Sequence, residues 1–178
     1  MTAEQSISLL HQHRTKSLSS GQKTISHSFH NNFLVSLLLW QVIDVKETGH
    51  AVSKDVLDTI YELKTGALIE AAMMIGAILG GASQEEVKTV ERIASLVGLA
   101  FQVQDDILDV TSTQEELGKP IHSDEKNEKT TYVTLLGIDD AKKVVEEKSE
   151  EAISLLQTLP NENPYLEELL IELIHRKK

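Results

Sequence analysis

The 178-residue sequence contains no cysteine. That excludes disulfides and thiolate chemistry, and it fits a reducing compartment. Positive charge is scarce: 17 Lys and Arg stand against 28 Asp and Glu, for a formal net charge of −11. A nucleic-acid surface or an anionic membrane surface would need a basic footprint, which this balance argues against. A local basic pocket for a small anion stays open. Long hydrophobic runs are also missing. The longest, near 33–40 and 71–79, are too short or too mixed with glycine to span a membrane. The first residues, MTAEQSISLLHQHR, have an acidic start and no sustained apolar run, so no signal peptide is expected and a cytoplasmic location is. Proline occurs three times, at Pro120, Pro160 and Pro164, so nothing before residue 120 is interrupted by it.

What is present is helical periodicity. Apolar residues make up 40% of the chain, enough for one domain with a real core. Convincing period-2 alternation is absent, and only VTLL at 133–136 is ambiguous. Residues 1–32, Ser-rich and carrying His11, His13, His27 and His30, are expected to be a disordered or poorly packed surface segment. Helices are expected over 33–46 and 54–80, the second capped by Ser53 and ended by Gly80 and Gly81. Ala71, Ala72, Gly76 and Gly80 would let a neighbouring helix approach closely. Ser83 with Glu86 forms a capping box for a helix reaching about residue 110, and Thr113 with Glu116 forms a second, shorter one. A charged loop follows over 117–132. An amphipathic helix covers 139–159, with Asp139 and Asp140 as a charge pair at its N-terminus. A last helix is capped by Asn163, with Pro164 at its first position. The fold class expected is all-α.

The stretch FQVQDDILDV, residues 101–110, sets three acids into an apolar frame. On a helix Asp105 and Asp109 stack, and Asp106 is turned by about 100° but stays close to both. Three converging carboxylates suit a hard dication such as Mg²⁺ shared with a substrate phosphate. The bland reading is a solvated helix end with chance acids. Lys119 and Lys129 follow in or beside the next loop. Lys64, followed by Thr65 and Gly66, interrupts an apolar helix. It could grip a phosphoryl group, or it could snorkel to water.

Together LKTGALIEAA at 63–72, FQVQDDILDV at 101–110 and LGKPIHSDEKNEKTTYVTLLG at 117–137 resemble the C-terminal half of a short-chain trans-polyprenyl diphosphate synthase, of the farnesyl or geranylgeranyl type. The resemblance begins near residue 41, where WQVIDVKETG is similar to the family's GGQxxD segment, and runs to near the C-terminus. It implies a partial isoprenoid-synthase helical bundle over 33–178. It implies that Asp105, Asp106 and Asp109 bind Mg²⁺, with Gln102 lining the same cavity. Lys64 and Thr65 would hold the allylic substrate, Lys64 at its diphosphate and Thr65 facing the reacting carbons. Lys119 and Lys129 would grip diphosphate, while Gln41, Asp44 and Asp124 would support the site.

The implied reaction is condensation of isopentenyl diphosphate with an allylic diphosphate. The implied partners are those two substrates, and a second copy of the chain or a complementing first-half chain. The sequence departs from the family pattern at several places. It has no second Asp-rich motif, no Gly-Lys-x-x-Arg segment, and only three arginines, Arg14, Arg92 and Arg176. Leu39 and Trp40 stand where small residues usually precede Gln41, and His122 stands where glycine is common. Catalysis by this chain alone is therefore not expected. The alternative is a catalytically inactive helical fragment or interaction subunit that retains a Mg²⁺-diphosphate half-site.

Overall fold

A computed structural model describes residues 51–113 and 129–176. The described residues form six α-helices and one π-helical turn. They are α1 (Lys54–Tyr61), the π turn (Glu62–Gly66), α2 (Ala67–Leu79), α3 (Gln84–Thr111), α4 (Tyr132–Leu136), α5 (Ile138–Leu156) and α6 (Pro164–Ile174). The all-α expectation holds for these residues, and the ambiguous VTLL lies in α4. The helix expected over 33–46 and the second capping box with Glu116 fall outside them.

The helix starts are set by local chemistry. The Ser53 side chain accepts the Val56 N–H, and Asn163 accepts the Leu166 N–H at 3.0 Å with Pro164 next to it. At α3 the capping box is complete. Ser83 N–H donates to Glu86 at 2.6 Å, and Glu86 N–H donates to the Ser83 hydroxyl at 3.3 Å. Hydrogen bonds from the Ser83 side chain and then its backbone hold the Glu86 carboxyl below its ordinary pKa. Gly80 caps α2, and Gly81 takes φ +83°, a conformation that favours glycine.

α3 is the axis of the fold. Ile93, Ala94, Val97, Ala100 and Val103 on it have no exposed surface. α5 packs along it, presenting Ala141, Val145, Ala152 and Leu156. α6 closes the same core with Leu170 and Ile174. This recurrence of apolar residues at three and four positions is what the sequence pattern requires of amphipathic helices.

Two expectations need correction. The helix expected to run unbroken over 54–80 is divided: residues Glu62–Gly66 widen into a π turn, and Lys64 leaves helical geometry at φ −83°, ψ −110°. A π turn accommodates one extra residue without ending the helix, so periodicity across it still reads as helix. Of the four small residues expected to admit a neighbouring helix, only Ala71 is buried. Ala72, Gly76 and Gly80 face outward. The intimate contact lies one turn earlier, where a Cβ on Gly98 would stand 2.7 Å from the Gly66 Cα. α2 further exposes Leu68, Ile75, Ile78 and Leu79, an apolar face on a helix that is apolar nearly all round.

Candidate functional site

The site forms where the π turn, the second half of α3 and the start of α4 meet. Gly66 and Gly98 bring two backbones into contact there, and any side chain on Gly98 would collide with main chain. This sets the Lys64 turn against α3. Lys64 and Thr65 are both partly buried, and Gln102 is buried on α3. Lys129 lies partly buried three residues before the start of α4.

The three aspartates of α3 occupy different surroundings. Asp106 is 7% exposed. Its Oδ2 accepts the Tyr61 hydroxyl at 2.6 Å and the Tyr132 backbone N–H at 2.9 Å. Tyr61 is the last residue of α1, directly before the π turn, and Tyr132 is the first residue of α4. Their rings lie 5.8 Å apart at 31°. The Tyr132 hydroxyl donates to Asp58, whose other oxygen pairs with Lys54 at 2.8 Å. Burial, and then the bond to Asp58, push the Tyr132 phenol up to about 12. The bond to Asp58 raises the pKa of Lys54.

Asp105 faces the other way. Its side chain keeps 41% of its surface exposed and pairs with Arg176 at 3.0 Å. The Arg176 guanidinium also lies 3.7 Å from the centroid of the Phe101 ring, and its carbonyl accepts Gln104 at 3.3 Å. Asp109 is buried, 3% exposed. Among the described residues no three acidic or histidine side chains stand close enough together to hold a metal ion. The expected three-carboxylate convergence is thus not formed by these residues. A sequence spacing of i, i+1, i+4 sets directions on a helix. It does not decide which neighbour each carboxylate meets.

Lys119, Asp124, Gln41 and Asp44 lie outside the described residues, as do Leu39, Trp40 and His122. Sequence reasoning missed Tyr61, Tyr132, Asp58 and Arg176. A signal existed for two of them. Tyr61 places a hydroxyl on a buried apolar stripe, and such hydroxyls usually find a partner. Arg176 is one of only three arginines in a chain rich in acids, so a carboxylate partner for it could have been sought.

A sequence model of the polyprenyl synthetase family matches residues 3–169. This corrects the expectation that the likeness is limited to a C-terminal half beginning near residue 41. The first forty residues carry no chemistry-bearing motif, so their part in the match was invisible to motif reading. The chain is 48% identical over 122 residues to a chloroplastic geranylgeranyl pyrophosphate synthase of Capsicum annuum, covering 68% of this chain and 33% of that one. It spans between 31% and 47% of the length of such curated relatives. Among solved structures, heptaprenyl diphosphate synthase of Staphylococcus aureus superposes with a TM-score of 0.80 at 24% identity, covering 85% of this chain and 60% of that one. That likeness supports an isoprenoid-synthase-like helical bundle over most of this chain, so the partial bundle that had been expected gains no support from it. A geranyltransferase of Helicobacter pylori complexed with magnesium and isoprenyl diphosphate superposes at 0.66 and 28% identity, covering 85% of this chain and 57% of that one. No helix among the described residues is long and apolar enough to cross a membrane.

Proposed function

Because the chain belongs to the polyprenyl synthetase family, we propose that it acts in prenyl diphosphate chemistry, as a transferase that condenses isopentenyl diphosphate with an allylic diphosphate. The observation that carries this reading is the Lys64–Thr65 π turn held against α3 by the Gly66–Gly98 contact. Such turns recur at functional sites because they aim side chains away from the regular helical rows.

In this reading Lys64 and Lys129 hold the diphosphate as point charges, and Lys119 joins them from the loop. The allylic C–O bond breaks and its electron pair leaves with the diphosphate, whose growing charge the lysines stabilise. The double bond of isopentenyl diphosphate supplies the pair for the new C–C bond. A proton then passes to an oxygen of the released diphosphate, and its C–H electron pair restores a double bond. Thr65 and the buried Gln102 line the reacting end of the cavity, with Gln41, Asp44 and Asp124 supporting it. Mg²⁺ is the ion the family resemblance implies. The described carboxylates do not form a cluster for it, so no step here runs through a metal.

The outward apolar face of α2 supports self-association of the chain. Burying that face would remove Leu68, Ile75 and Leu79 from water.

The test is direct. The purified chain is supplied with Mg²⁺, isopentenyl diphosphate and an allylic diphosphate, and prenyl products are separated by length. The proposal expects the chain to bind diphosphate, with about a tenfold loss of affinity in Lys64→Ala, and an elongated product once a complementing first-half chain is added. Absence of both product and diphosphate binding would overturn it.

A further inference from the structure

We propose that Asp106 is the positioning residue of the diphosphate site: through Tyr61 and Tyr132 it fixes the Lys64 turn and the Lys129 segment to the Asp105-bearing end of α3. This rests on the reading of the site as diphosphate-binding, and it assigns Asp106 a role different from its two companions in the motif.

The geometry is specific. One oxygen of one buried carboxylate receives donors from two separate elements. The Tyr61 donor ends α1, three residues before Lys64. The Tyr132 donor begins α4, three residues after Lys129. Asp106 itself is next to Asp105 and one turn before Asp109. A short tether on each side therefore sets where both lysines stand relative to α3. The tethers are braced from outside. Thr130 accepts the Val52 N–H at 3.3 Å, the Tyr132 hydroxyl is held by Asp58, and Gly66 abuts Gly98. A buried carboxylate stays in such a place only when directed donors offset its lost hydration.

The chemistry separates positioning from metal ligation. Asparagine keeps a carbonyl oxygen that accepts both donors but gives up the charge a hard cation needs. Three variants, Asp106→Asn, Asp106→Ala and Tyr61→Phe, are compared by backbone hydrogen exchange under conditions where all are folded. Asp106→Ala is expected to speed exchange at the Tyr132 amide and through 62–66 by about tenfold more than over 84–111 and 138–156, the scale of losing one hydrogen bond to a charged acceptor. Tyr61→Phe is expected to do so only through 62–66. Asp106→Asn is expected to remain within about twofold of the parent protein, because both donors keep an acceptor. Acceleration spread evenly over 84–111 and 138–156 would mean general loosening and would overturn the proposal. So would an Asp106→Asn variant as mobile as Asp106→Ala.

A parallel titration with Mg²⁺ and inorganic diphosphate supplies the functional arm. Tyr61→Phe is expected to weaken uptake several-fold. Loss in Asp106→Asn with none in Tyr61→Phe would return Asp106 to the metal and overturn the assignment. If the parent protein takes up no diphosphate, the functional reading fails while the exchange pattern still decides whether Asp106 ties the two segments together.

Discussion

Asp105 and Asp106 are sequence neighbours that leave different faces of one helix end. On the inner side, Asp106 is buried and binds the end of α1 and the start of α4, each three residues from a candidate lysine. On the outer side, Asp105 is half-exposed and meets Arg176 from the end of the described chain. The inner side has the character of a core: directed, dehydrated and intolerant of change. The outer side has the character of a surface, where an ion pair is screened and can exchange one cation for another. A motif of three aspartates thus contains unlike parts, and the difference comes from what packs on each face of α3.

Perturbations of the two sides should differ in size. The largest loss is expected on the inner side. Asp106→Ala leaves the Tyr61 hydroxyl and the Tyr132 N–H without their acceptor and should cost about 3–4 kcal/mol in urea unfolding. Gly98→Ala attacks the same wall from the backbone. Its Cβ would meet the Gly66 Cα at 2.7 Å, where no side chain can give way. About 2–3 kcal/mol of destabilisation is expected, with Lys64 displaced from α3.

Tyr132 separates the sides by pH. Its phenol is raised to about 12 in the folded chain, chiefly by burial, against about 10 when unfolded. The unfolded chain therefore loses this proton first. Stability is fully present below pH about 10 and falls as pH rises towards 12, by about 2 kcal/mol at most. Tyr132→Phe should flatten that fall, which stability measurements across the window can check. The smallest effect belongs to the outer side. Arg176→Ala removes a partly exposed ion pair and a contact with the Phe101 ring, for about 1 kcal/mol or less. A thermal melt that drops as far as for Asp106→Ala would erase the contrast between the sides.

Much of the fold was legible in the sequence because it depends on local rules. The Ser83–Glu86 box, the Asn163–Pro164 start and the Gly80–Gly81 stop act within a few residues of themselves, and each lies where the sequence puts it. The apolar spacing of α3 and α5 likewise announces which faces are buried. The break at Lys64 was not legible, since a π turn keeps the helical rows on both sides. Nor was the Gly66–Gly98 contact, which joins residues far apart in sequence and could be mistaken for the more obvious small residues of α2. At the site, the sequence identified Asp105, Asp106, Asp109, Lys64 and Lys129 as candidates. It could not separate Asp106 from its companions, because its partners Tyr61 and Tyr132 come from distant elements. The role of Gln41, Asp44, Lys119 and Asp124 rests on the family resemblance.

The most direct measurement is a double-mutant cycle in urea unfolding across Tyr61→Phe and Asp106→Ala. If the carboxylate ties the Lys64 turn to α3, the two losses should be strongly non-additive, with a coupling of about 1.5–3 kcal/mol expected for a hydrogen bond to a charged group. Additive losses within about 0.5 kcal/mol would contradict the account.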